Sequence, residues 1–370
     1  MFKKNSVLSI SSIILTIFIA CTFYQMDFRA FYIAGKSILF NLNPYMNNEA
    51  LGLIDSCESR NISRFIYPPL SPYLFIPFSL LNYQIAKILW SLMILFSFHK
   101  LLNIFNAKNL IVIFFSFPVF FAFERGQIDL VICLLVVFSF KSKNFYISTL
   151  LLALATILKL FPVVLLPLLL LKWKDKISKK HILYTVSILS IFLLVPSISK
   201  NLKYIKFFIN RKSLDSFIYQ KLDCFIYENK IVLSEGIDFV FNNNFIHGQL
   251  NPLAILNYGS LIGLFIIFLI VIFDFFKKPK INYWMFSSAL FYLPMIQLLN
   301  DKVWIMTLVY FIPFFLYHWR FLNKIDKFLF FILFLFPPLP YVELLIFPSL
   351  ILLTLKIYFI SYDKPSINNI

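Results

Sequence analysis

Long apolar runs recur along the chain and are separated by short basic segments. About 20 apolar residues suffice to cross a bilayer as a helix, and the first such run covers 7–25. Hydrophobic residues make up 60% of the 370 residues, whereas soluble domains are about half apolar. The sequence therefore predicts an all-α, polytopic membrane protein.

The basic segments predict the orientation of these runs, because Lys and Arg collect on the cytoplasmic side. Lys3 and Lys4 place the N-terminus inside, and the loops "KSKN", "KWKDKISKK" and "FKKPK" fall on the same side if there are twelve spans, with the C-terminus also inside. The predicted spans are 7–25, 84–104, 109–123, 127–140, 145–160, 162–171, 181–198, 258–276, 281–299, 303–318, 327–337 and 342–360. The same loops account for the net charge of +17. No basic stretch is interleaved with aromatics in a polar domain, so nucleic-acid binding is disfavoured.

The organisation predicted is a single membrane domain over 1–370. Residues 1–175 form a catalytic-type module with an outer loop at 26–83, and 176–370 contribute C-terminal helices with an outer loop at 199–257. The first run is interpreted as an uncleaved membrane anchor, since a signal peptide would precede a soluble domain.

The first outer loop carries two short apolar pieces that do not fit a span. After Asp27, a helical period places Phe31, Ala34 and Ile38 on one face and Arg29 and Lys36 opposite, which is typical of an amphipathic helix lying on the membrane. "NLNPY" ends it. The stretch "YPPLSPYLFIPFSLL" contains four prolines, which break helices, so we expect a re-entrant or surface-lying segment there.

Polar residues that the charge rule does not explain collect on the predicted outer face. Ionisable groups at membrane depth often mark a pathway or a site. Individually, Asp27 could be a helix-end charge, Glu124 and Arg125 could neutralise each other, Lys159 could reach lipid phosphates, and His247 could be an ordinary loop residue. The set comprises Asp27, Arg29, Tyr32, Asn43, Tyr45, Tyr67, Glu124, Arg125, Gln127, Asp129, Lys159, His247, Gln249, Asn251, Asp301 and Lys302.

Group transfer from a lipid phosphate fits these residue types. A carboxylate such as Asp27 can act as the general base for a sugar hydroxyl, and a cation such as Lys159 can stabilise the leaving phosphate. The chain has seven glycines and no Gly-rich phosphate loop, which argues against a nucleotide-driven enzyme.

Four blocks in order carry a family resemblance: "DFRAFYIAGKSILFNLNPY", "YPPL", "GQID" and "LKLFP" followed by a basic stop. This pattern, over residues 1–175, resembles the polyprenol-phosphate-mannose-dependent alpha-mannosyltransferases, which form glycosyltransferase family 87 and have the GT-C membrane fold. In the second half, "HGQLNPL" is similar to a family stretch with its residues reordered, and "NDKVW" stands where the family often has Ser-Pro before Trp.

The resemblance implies a metal-independent, inverting enzyme of the plasma membrane. It would move one sugar, typically mannose, from a polyprenyl phosphate to a lipid-linked or glycolipid acceptor on the outer face of the cell envelope. Asp27 is then the base and Lys159 a contact of the donor phosphate. The other predicted substrate or phosphate contacts are Arg29, Tyr32, Tyr45, Tyr67, Arg125, Gln127, His247, Gln249, Asn251 and Lys302.

Two other functions remain possible from the residues. A flippase or transporter of lipid-linked sugars would carry ionisable groups at mid-span and inverted repeats, and an assembly protein would not depend on Asp27. A disulfide between Cys57 and Cys224 also remains open, since both fall in predicted outer loops.

Overall fold

Helices dominate the structure. The computed structural model describes residues 2–23, 25–45, 65–173, 176–195, 226–227, 230–231, 282–298, 305–335, 349 and 352–357. Helices α1 to α12 cover Phe2–Thr22, Met26–Leu39, Ser71–Ser79, Tyr83–Ile104, Phe117–Arg125, Asp129–Lys141, Phe145–Leu158, Leu166–Lys172, Lys179–Leu194, Asn282–Leu298, Phe311–His318 and Lys324–Leu335. In the described ranges the strands are Ile226–Tyr227 and Lys230–Ile231, which are two residues each and pair antiparallel. Because the other regular elements described are helices, the all-α prediction is confirmed.

Most predicted spans correspond to helices with boundaries within a few residues. Three of them differ, because each begins with a 3-10 segment and continues as a short α-helix. These segments are Lys108–Phe115 before α5, Phe161–Leu165 before α8 and Ile305–Tyr310 before α11. Pro118 and Pro162 lie in the first two positions of α5 and of the Phe161–Leu165 segment, where a missing N–H is tolerated. Most of the predicted loop 199–257, span 258–276, the Cys57–Cys224 pair and most of span 342–360 lie outside the described residues.

Several helices begin where a polar side chain accepts a bond from the first turn. The Asn82 side chain accepts from the Gln84 backbone N–H at the start of α4, and Asn144 accepts from Tyr146 and Ile147 at the start of α7. Ser178 and His181 form a capping box at the start of α9. These bonds satisfy orphan backbone donors and fix each helix start.

The outer surface of the bundle is apolar. Large hydrophobic side chains are exposed on α1, α4, α7, α9 and α12, among them Ile14, Phe96, Ile147, Leu183 and Phe328. A soluble protein rarely exposes so many, whereas lipid contact requires them. By length and composition one described helix, α4 at Tyr83–Ile104, could cross a membrane, and shorter apolar helices accompany it.

Helices α2 and α3 pack against each other through small residues. A Cβ on Gly35 would overlap Ser79 Oγ and would lie 2.8 Å from the Phe75 carbonyl carbon. Ser79 Oγ donates to the Tyr32 carbonyl at 2.7 Å. Within the Pro-rich piece, α3 is a helix of nine residues, which is too short to cross a bilayer. This agrees with the prediction that the piece is not a span.

The amphipathic prediction for α2 is right in its boundaries and wrong about Arg29. Helix α2 ends at Leu39, close to "NLNPY". Arg29, however, is buried, and Lys36 is half-buried. Because α3, α4 and α5 all pack on α2, both faces of its first half are covered by protein.

We expect Gly35→Ala to destabilise the protein by about 1–3 kcal/mol, the usual cost of overpacking a filled contact. The added methyl group would overlap both Ser79 and the Phe75 backbone. Thermal unfolding in detergent, followed by a fluorescent dye, measures the change. In a Ser79→Gly background recovery should be partial at most, because the Phe75 backbone remains. A Gly35→Ala variant as stable as wild type would contradict this packing.

Candidate functional site

The turn between α5 and α6 is built around Gly126. The Gly126 and Gln127 backbone N–H groups donate to the Phe123 and Ala122 carbonyls at 3.1 Å and 2.7 Å, the two bonds of a Schellman motif. This motif requires the left-handed φ of +69° observed at Gly126. A Cβ there would lie 2.6 Å from Phe28 Cβ. The glycine therefore permits both the turn and the close approach of α2.

Asp27 meets this turn through its carboxylate. Arg125 Nε donates to Asp27 Oδ2 at 2.8 Å, and a terminal guanidinium nitrogen lies 3.3 Å from Oδ1. The Gln127 amide also donates to Oδ2. The ion-paired side chains are about nine-tenths buried, with 10% of Asp27 and 11% of Arg125 accessible. The carboxylate is thus held in one orientation, with a small accessible fraction.

Gln25 fixes the start of the helix that carries Asp27. Its backbone is left-handed, with a φ of 56°, which is uncommon for a residue with a side chain. The buried side-chain amide donates to Ser91 Oγ at 2.7 Å and to the Phe123 carbonyl at 2.9 Å. These bonds compensate for the backbone conformation. Sequence reasoning missed Gln25, since no local pattern marks a left-handed glutamine.

Lys87 was also missed, although it is fully buried within α4. Its ammonium donates to the Phe23 carbonyl at 2.8 Å and lies 5.5 Å from the centroid of the Tyr83 ring. Phe23 follows the last turn of α1, where carbonyls lack helical partners and attract cations. An ionisable residue inside a predicted membrane span was the signal that could have identified it.

Aromatic rings pack between α2 and its neighbours. Phe28 is stacked on Trp90 with centroids 5.4 Å apart, and the Trp90 indole N–H donates to the Gly126 carbonyl at 2.8 Å. Phe31 lies 4.3 Å from Tyr67 and stacks on Phe75 at 4.4 Å. These contacts exclude water from one side of the Asp27 turn and strengthen the polar contacts there.

A second charged cluster begins two residues after Gln127. Lys159 Nζ donates to Asp129 Oδ1 at 2.8 Å, and the Tyr310 hydroxyl donates to the same oxygen at 2.5 Å. Asp129 opens α6, Lys159 is the residue that ends α7, and Tyr310 closes the 3-10 segment before α11. We call Asp129, Lys159 and Tyr310 the Asp129 cluster.

Two of the predicted tyrosines, Tyr32 and Tyr45, donate their hydroxyl hydrogens to backbone carbonyls. The Tyr32 hydroxyl donates to the Leu81 carbonyl at 2.7 Å, and burial raises the pKa of this hydroxyl. The Tyr45 hydroxyl donates to the Tyr67 carbonyl at 2.9 Å, which ties the end of α2 to the segment before α3. Arg29, two residues after Asp27, and Glu124, the neighbour of Arg125, are both buried.

The structure thus brings Asp27, Arg125 and Gln127 together and places Lys159 on Asp129. Arg125 binds Asp27, which lies 98 residues away. Four predicted contacts, His247, Gln249, Asn251 and Lys302, lie outside the described residues. Within the described part, no group of three or more His, Cys, Asp or Glu side chains could hold a metal ion; the expected metal independence stays a prediction.

The apolar exterior of the described helices around buried charged clusters favours a helical membrane protein. The model of Glycosyltransferase family 87 matches residues 65–212, which confirms the resemblance found in the sequence motifs. The matched segment contains Arg125, Gln127, Asp129 and Lys159, and it indicates a membrane glycosyltransferase. Comparisons with curated proteins and with solved structures gave no match.

We expect Gly126→Ala to destabilise the protein, because the left-handed conformation costs an L-residue about 1–2 kcal/mol and the new Cβ overlaps Phe28. Gly126→Asn is the matched variant, since Asn tolerates this conformation better but carries the same Cβ. Both should lower the midpoint of thermal unfolding, Ala more than Asn. An Asn variant as stable as wild type would show that the contact with Phe28 is not limiting.

Proposed function

We propose that this protein transfers a single sugar, typically mannose, from a polyprenyl-phosphate donor to a lipid-linked or glycolipid acceptor. The reaction would take place on the outer face of the plasma membrane, with inversion at the sugar carbon. The family match supports the reaction class, and the carboxylate of Asp27 supports the mechanism.

The contact of Asp27 with Arg125 and Gln127 is the observation that carries this proposal. Asp27 lies outside the segment that matches the family model, whereas both partners lie inside it. A carboxylate at the start of a membrane-associated helix is costly unless it has a role or a partner. Here Arg125 and Gln127 orient the Asp27 carboxylate by hydrogen bonds. The carboxylate still retains accessible surface, as a general base requires.

The proposed step is one displacement. The acceptor hydroxyl oxygen forms a bond to the anomeric carbon while the bond from that carbon to the donor phosphate oxygen breaks. Asp27 takes the hydroxyl proton, and the polyprenyl phosphate leaves with the bonding electrons. A fixed carboxylate is effective because its orientation needs no rearrangement during the reaction.

Lys159 would stabilise the leaving phosphate. Its side chain is 24% accessible, so the ammonium can contact a ligand while one N–H remains on Asp129. The remaining predicted contacts, Arg29 and the three tyrosines, would shape the site around the substrates. Preorganised cations facing developing negative charge are a large source of rate enhancement.

The twelve-span arrangement belongs to the same proposal. It places both termini in the cytoplasm and the Asp27 turn outside, where polyprenyl-linked sugars meet glycolipid acceptors. The apolar exterior of the described helices and the basic loop after α6 support it.

We expect Asp27→Asn to abolish most transfer of radiolabelled mannose from polyprenyl-phosphate-mannose to membrane lipids. General-base catalysis typically contributes ~10²–10⁴-fold, so the loss should be of that order at equal expression. The assay uses membranes from cells that express each variant, and lipid extracts are counted.

Asp326→Asn is the matched control, because Asp326 is also a buried carboxylate paired with a lysine, Lys356, at 2.6 Å. It lies in α12 and pairs with Lys356 rather than with Arg125 or Gln127, so this variant should leave transfer near the wild-type rate. Equal transfer by wild type and Asp27→Asn would remove Asp27 as the base. A wild type inactive with mannose and other hexose donors would favour the transporter alternative.

The orientation can be tested with single cysteines in a background that lacks the four native ones. Asn43→Cys should react with a membrane-impermeant maleimide added to intact cells, and Lys143→Cys should react only after the cells are opened. Both positions are exposed at the surface, so access rather than burial decides labelling. The reverse pattern would invert the topology and place the Asp27 turn inside.

A further inference from the structure

We propose that Asp129 and Tyr310 are positioning residues that hold the ammonium of Lys159 for the donor phosphate. This inference rests on the proposed function and extends it to a residue of the C-terminal half. Tyr310 was not among the residues that the sequence motifs identified, and it lies beyond the segment that matches the family model.

Accessibility separates the roles within the Asp129 cluster. Asp129 and Tyr310 are 0% exposed, so neither can contact a substrate in this conformation. The Lys159 side chain retains 24%. The lysine is therefore the member of the cluster that can reach a ligand, and the other two must act through it.

The polar contacts converge on a single oxygen. Asp129 Oδ1 accepts from Lys159 Nζ at 2.8 Å and from the Tyr310 hydroxyl at 2.5 Å. Charge-assisted bonds of this length are strong and directional. A lysine ammonium has three N–H donors, and the bond to Asp129 takes one. Two N–H donors of the Lys159 ammonium remain for a ligand, while the bond to Asp129 fixes the position of the ammonium.

Packing holds the tyrosine at this place. The Phe161 ring meets the Tyr310 ring edge-on at 5.3 Å, and the Lys159 ammonium lies 5.6 Å from the Tyr310 ring centroid. The neighbouring Val309 carbonyl accepts a weak bond from the buried Cys133 thiol at 3.9 Å. The 3-10 segment that ends at Tyr310 also packs on α5 and α6. The C-terminal half thus supplies a rigid support for Lys159.

A purely structural ion pair is the competing explanation. The Asp326–Lys356 pair has similar geometry, at 2.6 Å, with Asp326 buried and 49% of the Lys356 side chain accessible. It differs in having no tyrosine bond to the same carboxylate oxygen among the described contacts. A test must therefore separate a contribution made through Lys159 from a general contribution to folding.

A double-mutant cycle on Asp129 and Lys159 makes this separation. Transfer is measured at saturating acceptor while the concentration of polyprenyl-phosphate-mannose is varied, for wild type, Lys159→Met, Asp129→Asn and the double variant. We expect Lys159→Met to reduce kcat/KM for the donor by roughly tenfold or more, the scale expected when a charged contact is lost. Asp129→Asn should reduce it by a smaller factor. The double variant should be within about twofold of Lys159→Met alone, because a residue that acts through Lys159 has nothing left to position.

Tyr310→Phe provides an independent test that retains the ring and its packing. It should reduce kcat/KM for the donor in wild type and have no further effect in the Lys159→Met background. If Asp129→Asn fails to fold, as judged by size-exclusion chromatography in detergent, this second cycle decides the question. Tyr184→Phe is the matched control, since it removes a hydroxyl that donates to the Tyr146 carbonyl at 3.3 Å in another part of the bundle.

The outcomes separate this inference from the proposed function. If wild type transfers mannose and the reductions in kcat/KM of the single variants multiply in both double variants, the positioning role is overturned and the proposed reaction stands. Unchanged kinetics in Lys159→Met would overturn it as well. Reduced transfer by Asp326→Asn and Tyr184→Phe to the same extent would show a folding effect. A wild type without any glycosyl transfer would overturn both proposals together.

Discussion

The approach of Gly126 to Phe28 is the contact on which the rest of the site depends. Only a residue without a Cβ can adopt the turn and admit α2 at this distance. That turn then presents Arg125 and Gln127 to Asp27 and Asp129 to Lys159. One backbone conformation therefore positions both charged clusters. A small displacement of Gly126 relative to Phe28 would alter the contacts of both.

Burial makes these clusters sensitive to the loss of any member. Inside an apolar bundle a charge is costly unless it is paired and hydrogen-bonded, and breaking a buried pair leaves an uncompensated charge. Asp27 and Asp129 each face one cation and at least one neutral donor. Such pairing is weak evidence for stability, but it fixes the orientation of the carboxylates, as the proposed transfer requires.

Much of the fold follows from the sequence, because apolar runs and Pro or Asn boundaries are local signals. The bounds of α2, α4 and α7 were predicted within a few residues. The 3-10 segments were not, since an apolar run has no marker for a change of helical type. Grouping Asp27, Arg125, Gln127 and Lys159 on one face was possible from topology. Their pairing was not, because Asp27 and Arg125 are separated by 98 residues and only packing brings them together.

The Asp129 cluster joins residues from the two halves of the chain. Asp129 and Lys159 come from consecutive helices, and a lysine held by one carboxylate could still pivot about that contact. Tyr310 donates to the same oxygen and packs against Phe161, which follows Lys159 by two residues. The contacts therefore form a ring: Lys159 bonds Asp129, Asp129 bonds Tyr310, and Tyr310 packs on Phe161 in the segment that follows Lys159. A closed set of contacts resists displacement better than a single pair, and it depends on a residue that the N-terminal motifs do not contain.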